Sequence, residues 1–493
     1  MKQRPLKITA GLVVILALAY TGTSWYFGRQ TQERIESWVE KINQRIAERW
    51  PSSETARPVL VIRDYQRGVF SSDIRYSLQF HDKQGDNKTV ELRDALSHGP
   101  WPWTAVRQGE WRPAAAWSQI EPLPSDILKP WFGAIPEGAL PWTLKSWIGF
   151  GGDIASQWQL APIQFGNGRV DFSGGLVKFF FDPATQRGIA SARFDRLVSF
   201  DTDSGVRARF EGIELKANTT SRDASSLQSD QQLRLDRISV EVPDSPAIAF
   251  VGPVLKTISS STGSLTDNQL DYDLGRIQYG DQDLGRINLG LSFDHLDMLA
   301  LQALSSELEH LEQTKNERPD DVGPSREQQQ RLISLIKPVL APSPRLSLDS
   351  LHWETSQGTS EIKFLLEFQP VADDVSQSAV EDVSRMLNEM IIKAIRQSSA
   401  QLRLSKPMLL QIVSQIGKGQ GEGDVGVPLV SMLFDQFTGK LQREGLVQRQ
   451  GDVVTADYRY AGQQFTVNGK PMSPVEFAAM LSPFVSLDLP DQQ

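Results

Sequence analysis

Residues 8–27 read ITAGLVVILALAYTGTSWYF, twenty positions without a charge. That is about the helical length that crosses a ~30 Å hydrocarbon core. Lys2, Arg4 and Lys7 precede the run and none of its positions is basic. Cations on that side predict a cytoplasmic N-terminus with the rest of the chain outside. Trp25, Tyr26 and Phe27 close the run where an interfacial aromatic belt sits, with Arg29 just beyond. A cleaved signal peptide competes, because Ala17-Leu18-Ala19 is an A-x-A site. Apolar character continues past it into the aromatic trio, which favours a retained anchor. A core helix fits poorly, since the run has no polar face.

The remainder reads as water-soluble. A chain of 493 residues exceeds what one core usually supports, so two or more domains are expected. Forty per cent hydrophobic and 23% charged residues exclude a disordered chain. The net charge is −9, and without Lys2, Arg4 and Lys7 it is −12. An acidic body is a poor partner for nucleic acid. There is no Cys, which excludes disulfides, thiolate metal sites and Cys nucleophiles.

Working outward from the anchor, residues 29–50 predict an amphipathic helix with Ile35, Trp38, Val39, Ile42 and Ile46 on one stripe. Pro51 ends it. Ile74, Tyr76, Leu78 and Phe80 then alternate with Asp73, Arg75, Ser77 and Gln79, the period of a strand with one wet face. Residues 101–158 hold eight of the twelve tryptophans. They read either as pins holding irregular loops on a sheet or as an interfacial or ring-stacking surface, and the pinning role is preferred. Alternation dominates 162–293 without intervening helices, which predicts antiparallel meanders. Helices are expected over 296–311, 326–340 and 378–395, the last opened by a Ser378/Glu381 capping box. Strand–helix–strand order around 293–346 and 362–404 suggests a diverged repeat. Two helices at 407–416 and 427–443 flank a Gly-rich joint, a hairpin pairs 453–460 with 465–467, and 474–480 form a last short helix.

The motifs that could carry chemistry are weak. Gly417-Lys418-Gly419-Gln420-Gly421-Glu422-Gly423 lacks the Ser or Thr of a phosphate loop, and Glu422 and Asp424 repel phosphate. It reads as a flexible hinge. Residues 441–447 with the following hairpin have the outline of a winged helix, against the acidic balance. The five His are scattered without metal-ligand spacing. Gly-x-Ser-x-Gly is absent. Asp271, Asp273, Asp281 and Asp283 complete no calcium loop and read as solvated turn residues.

Several stretches in order along the chain resemble the YdgA-like family of bacterial inner-membrane-anchored proteins of uncharacterised function. They are Tyr26-Phe27-Gly28 with Glu33, then Tyr65-Gln66-Arg67-Gly68-Val69-Phe70-Ser71-Ser72, then His98-Gly99-Pro100. Near the end come Gly445-Leu446 and Phe465-Thr466-Val467-Asn468-Gly469-Lys470-Pro471. The resemblance implies a Gram-negative inner membrane with the bulk of the chain in the periplasm, and brings no catalytic residue with it. Arg67-Gly68 and Asn468-Gly469 read as turn and packing elements, Asn-Gly suiting a tight hairpin turn. His98 is expected to be structural, its ring bonded to backbone near Gly99-Pro100.

The expected architecture is α+β: an N-terminal transmembrane helix, then a large, mainly antiparallel β-rich ectodomain with helices concentrated in the second half. The expected divisions are a cytoplasmic tail 1–7, anchor 8–28, helix and linker 29–57, β-rich region 58–295, α+β region 296–405, and C-terminal helices and hairpin 406–493. Three functions stay open: an envelope interaction or assembly factor, a lipid-handling module with an apolar β-groove, and a periplasmic hydrolase. The first is preferred. No cofactor, metal or catalytic residue is assigned. Candidate partners are the membrane, a second copy, an envelope protein or a lipid. Some apolar sheet surface in the first half is expected to be incompletely covered.

Overall fold

The computed structural model describes residues 4–49, 57–81, 86–166, 169–223, 225–317, 326–371, 393–462, 464–473 and 476. The chain is β-rich and antiparallel, with helices near both ends, and divides into two compact units, Met1–Thr220 and Ser221–Gln493. The break falls inside the stretch 58–295, where the sequence shows no boundary.

The first unit opens with α1, Arg4–Arg49, a single helix where the sequence suggests an anchor and a separate amphipathic segment. Side chains of α1 are described only from Ala17 to Ala47, so most of the apolar run lies outside the described side chains. Among the described residues no helix is long and apolar enough to cross a membrane. The strands that follow are β1 (Val59–Arg67), β2 (Ser71–His81), β3 (Asn87–His98), β4 (Ala116–Pro122), β5 (Trp142–Ile148) and β6 (Ile154–Leu160). Then come β7 (Ile163–Phe165), β8 (Val170–Phe172), β9 (Gly175–Asp182), β10 (Arg187–Phe200) and β11 (Arg207–Asp223). Two five-residue helices, α2 (Trp103–Arg107) and α3 (Lys129–Gly133), interrupt them. Pairing runs β1-β2-β3-β4-β5-β6-β9-β10-β11, antiparallel throughout, and β8 joins the β7–β8 hairpin to β10.

α1 packs on the face of this sheet that carries Ile74, Tyr76, Leu96, Ala116 and Ile148. Its contact face is Ser24, Gly28, Thr31, Ile35, Val39 and Asn43, spaced by three and four. Trp38 and Ile42, which the apolar stripe would bury, are exposed. Small and polar side chains let the helix approach more closely than the larger apolar ones. Asn43 then docks as a backbone mimic, donating to the Leu60 carbonyl (2.8 Å) and accepting from the Leu60 amide (2.9 Å).

The tryptophan-rich stretch is more regular than expected. Trp117, Trp142, Trp147 and Trp158 lie on strands and meet edge to face in two pairs, 117–147 at 6.3 Å and 142–158 at 5.8 Å. Trp101, Trp103, Trp111 and Trp131 lie in loops and short helices and are exposed.

The second unit contains β12 (Ser226–Arg234), β13 (Arg237–Glu241), β14 (Ile248–Val251), β15 (Val254–Thr262), β16 (Leu265–Tyr279) and β17 (Gln282–Asp297). After them come α4 (Met298–Glu317), α5 (Arg326–Leu340), β18 (Arg345–Thr355), β19 (Gly358–Phe368) and β20 (Ile395–Ser405). The chain continues with α6 (Lys406–Gly419), α7 (Gly426–Arg443), β21 (Gln448–Gln450), β22 (Val453–Ala461), β23 (Gln464–Val467) and β24 (Lys470–Met472). The helix expected over 378–395 falls outside the described residues, apart from its end, where Lys393 and Ala394 are helical and Ile395 opens β20; the short helix at 474–480 likewise lies outside them, Glu476 excepted.

The antiparallel order is β12-β15-β16-β17-β18-β19-β20-β22-β23-β24. Its register aligns one apolar face across the strands. One row crosses Leu270, Leu291, Leu348, Phe364, Ala400, Tyr458 and Val467. The next crosses Tyr272, Leu289, Leu351, Ile362, Leu402 and Ala456. Rows of the other face are polar, such as Lys363, Gln401 and Asp457. At β22, Val454, Ala456 and Val447 are buried with Phe434 and Leu441 of α7. From β16 to β19 the apolar rows are only half-buried, and Ile362 and Phe364 are 38% and 41% exposed. Among the described residues, the incompletely covered apolar surface therefore reaches into the second unit, beyond the first half where the sequence placed it.

The Gly-rich joint is a closed turn. The amides of Glu422 (2.8 Å) and Gly423 (3.1 Å) both donate to the Gly417 carbonyl. β22 is an interior strand, paired with β20 on one side and with β21 and β23 on the other, so the hairpin is no free wing.

Candidate functional site: a helix crossing and its aromatic hollow

Most of the resemblance residues of the first unit meet where α1 crosses the ends of β2 and β3. β2 follows a tight turn in which the Gly68 amide donates to the Ser71 carbonyl at 2.8 Å. The turn holds Phe70 against the end of β3, whose His98 amide donates to the Phe70 carbonyl at 2.8 Å. Gly99-Pro100, a cis peptide, leads away from β3, and the Gly99 amide donates to Ala115 at 2.7 Å. A Cβ on Gly99 would overlap the Ala114 carbonyl, and one on Gly28 would overlap the His98 ring. Both glycines are needed for close approach.

α1 is tied to this loop by hydroxyls one turn apart. Ser24 Oγ donates to the Gly99 carbonyl at 2.5 Å and Tyr20 Oη to the Trp101 carbonyl at 2.8 Å. Tyr20 also stacks on Phe70 with ring centres 5.8 Å apart. Arg67 reaches Gln32 Oε1 at 3.4 Å, Glu33 pairs with Arg29 at 3.2 Å in solvent, and Tyr26 is exposed beside Phe27.

The His98 ring lies 3.0 Å from the Val69 carbonyl through Nδ1 and 2.9 Å from Ser72 Oγ through Nε2. Its backbone partner is thus Val69, across the turn, and not the Gly99-Pro100 segment. A carbonyl only accepts, so Nδ1 carries the hydrogen and Nε2 accepts from Ser72. Burial pushes the imidazole pKa down, against the Val69 bond that raises it. A serine bonded to a neutral imidazole has the polarity of a nucleophile with its base. Ser72 and His98 are nevertheless buried, with Gly28 of α1 against the ring.

Asp94 lies farther along the same sheet face. It accepts from Ser118 at 2.7 Å and from Tyr76 at 3.4 Å. It is 2% exposed, and burial raises its pKa to about 6, the bonds from Ser118 and Tyr76 acting the other way. Nothing in the sequence marks Asp94; only its place on an otherwise apolar strand face could have drawn attention to it. Among the described residues no cluster of three or more His, Asp or Glu could hold a metal ion.

Beside the crossing, Tyr20, Phe70, Trp101, Trp103, Val106 and Trp111 line an open hollow of about 540 Å³. Trp101, Trp103 and Trp111 are 47%, 57% and 72% exposed, and the Arg107 guanidinium lies 5.4 Å over the Trp103 ring.

The C-terminal resemblance residues form a clasp in the second unit. Asn468 occupies the left-handed region at φ 51°. Its side chain donates to the Gly445 carbonyl (2.9 Å) and accepts from the Asp457 amide (3.0 Å), tying the end of α7 to the β22–β23 hairpin. Gly469 follows at φ 82°, and Lys470 opens β24 opposite Val467.

An antiparallel β-body with a long helix packed on the sheet of its first unit is the architecture that defines the class of this chain. The chain belongs to the family described as bacterial protein of unknown function (DUF945), whose model matches residues 3–475. It is 23% identical to protein YdgA of Escherichia coli (strain K12) over 96% of both chains. It is 21% identical to the uncharacterized protein YihF of the same organism, over 97% of this chain and 99% of that one. An uncharacterized Haemophilus influenzae protein is 30% identical over 23% of this chain and 30% of its own length. No solved structure matches the chain.

Proposed function

We propose that this is a single-pass inner-membrane protein, anchored by residues 8–28, whose periplasmic body handles lipid along the apolar sheet face of its second unit. The observation that carries the lipid reading is that face: aligned apolar rows on β16–β19, half-buried or exposed, with a polar opposite side. Burying one large apolar side chain stabilises by roughly 1.5 to 3 kcal/mol, so such a surface favours an apolar occupant. An acyl chain fits because it needs no directional bonds, and the rows offer none. The anchor reading is supported by the uncharged run and the cations before it. The second reading, an envelope interaction or assembly factor, is supported by the same face serving as a docking strip for an apolar protein surface.

A photo-crosslinking residue in place of Phe364 or Leu348, in the full chain expressed in cells, separates the readings. Lipid adducts identified by mass spectrometry are expected. Protein adducts in their place would favour the assembly factor. Crosslinks confined to the chain itself would show the face covered from within and overturn both.

A further inference from the structure

We infer that the aromatic hollow beside α1 is a membrane-insertion collar, seated in the headgroup–acyl boundary of the phospholipid bilayer that holds the anchor. The inference rests on the anchored reading and adds the level at which the body meets the lipid. Tyr20 and Ser24 lie inside the uncharged run 8–27, yet both donate to carbonyls of the Gly99–Trp101 loop. The helix is therefore against the body before the run is complete. At about 1.5 Å rise per residue, the run from Ile8 to Tyr20 covers roughly 18 Å, well short of a ~30 Å hydrocarbon core. The remaining turns, to Phe27, add roughly 10 Å alongside the loop. If the run sits in the bilayer, the loop sits there too.

The surface at that level suits the position. Phe70, Trp101, Trp103 and Trp111 are all exposed, and the hollow they form with Tyr20 is almost wholly apolar. Leu18, Trp25 and Tyr26 of α1 are exposed as well. Tryptophan with an arginine nearby is the composition of the interfacial layer, where the ring is half-immersed and the cation meets phosphate. Arg107 over Trp103, with Arg112 next to Trp111, supplies that charge on an otherwise acidic chain. Immersion by roughly 5 to 10 Å matches the depth of interfacial segments.

The chain has no Cys, so single labelling sites can be introduced cleanly. Environment-sensitive fluorophores on Trp103→Cys, Trp111→Cys and Leu18→Cys are compared with a control on the β9–β10 turn, Thr185→Cys. Each full-length protein is reconstituted into phosphatidylcholine and phosphatidylglycerol vesicles carrying doxyl quenchers near the headgroup or deep in the chain. Expected are a blue shift and about twofold quenching by the shallow quencher at 103 and 111, deeper quenching at 18, and none at 185. Quenching at 18 with 103 and 111 in water would overturn the collar and leave the anchor standing. No lipid quenching at any site would overturn the anchor itself. Energy transfer between copies at 103 and 111 without lipid quenching would make the hollow a self-association surface and overturn the collar.

Discussion

At the residue scale, Asp94 is expected to make the first unit sensitive to pH. Its pKa is raised in the folded state to about 6, above the ordinary aspartate value near 3.8. Between those values the folded protein holds a proton that the unfolded chain has released. Stability therefore falls as pH rises from about 4 to 6 and is level above, by about 3 kcal/mol at most from this group. Melting of the full chain in detergent at pH 4.5 and 7.5 should show this slope, and Asp94→Asn should flatten it. An unchanged slope in the variant would place the proton elsewhere. His98 is predicted to act through folding. His98→Gln should lower stability by about 1–3 kcal/mol, because Ser72 and the Val69 carbonyl lose buried partners. A variant that melts normally yet loses lipid adducts at Phe364 would give the ring a functional role.

At the element scale, two clasps hold helices to sheets by side chains that stand in for backbone. Asn43 does so for α1 at Leu60, and Asn468 for α7 and its hairpin. Asn468→Ala should destabilise the second unit by about 1–3 kcal/mol, losing two bonds and placing an ordinary residue at positive φ. Asn468→Gly keeps the backbone angle and should fall between. Faster hydrogen exchange at the Asp457 amide would report the loss; unaltered exchange in the Ala variant would show that the clasp is not what orders the hairpin.

At the scale of the whole molecule, a retained anchor predicts both where the protein sits and which way it faces. A C-terminal reporter is expected to be active only outside the cytoplasm, and the protein to stay with membranes through a carbonate wash. A soluble form whose precursor ends at Ala19 would instead make the N-terminal run a discarded signal. That result would remove the collar, because Tyr20 and Ser24 would then start a mature chain with no bilayer at their level.

The period-two alternation in Ile74–Phe80, Ile287–Phe293 and Ile362–Phe368 was enough to set strands with one apolar face, because each side chain's face depends only on its own position. Helices α4 to α7 were legible for the same local reason, through stripes at three and four. Which face of α1 meets the sheet was legible only in part, through Ile35 and Val39. The apolar stripe pointed to Trp38 and Ile42, whereas closeness of approach selected Ser24, Gly28 and Thr31, and only the surface opposite could reveal that. The pairing of Gly28 with His98 and of Tyr20 with Trp101, residues about seventy and eighty positions apart, likewise waits on the fold. So does the alignment of Leu270, Leu291, Leu348 and Phe364 into one row, since register between strands is a long-range choice made by the sheet as a whole.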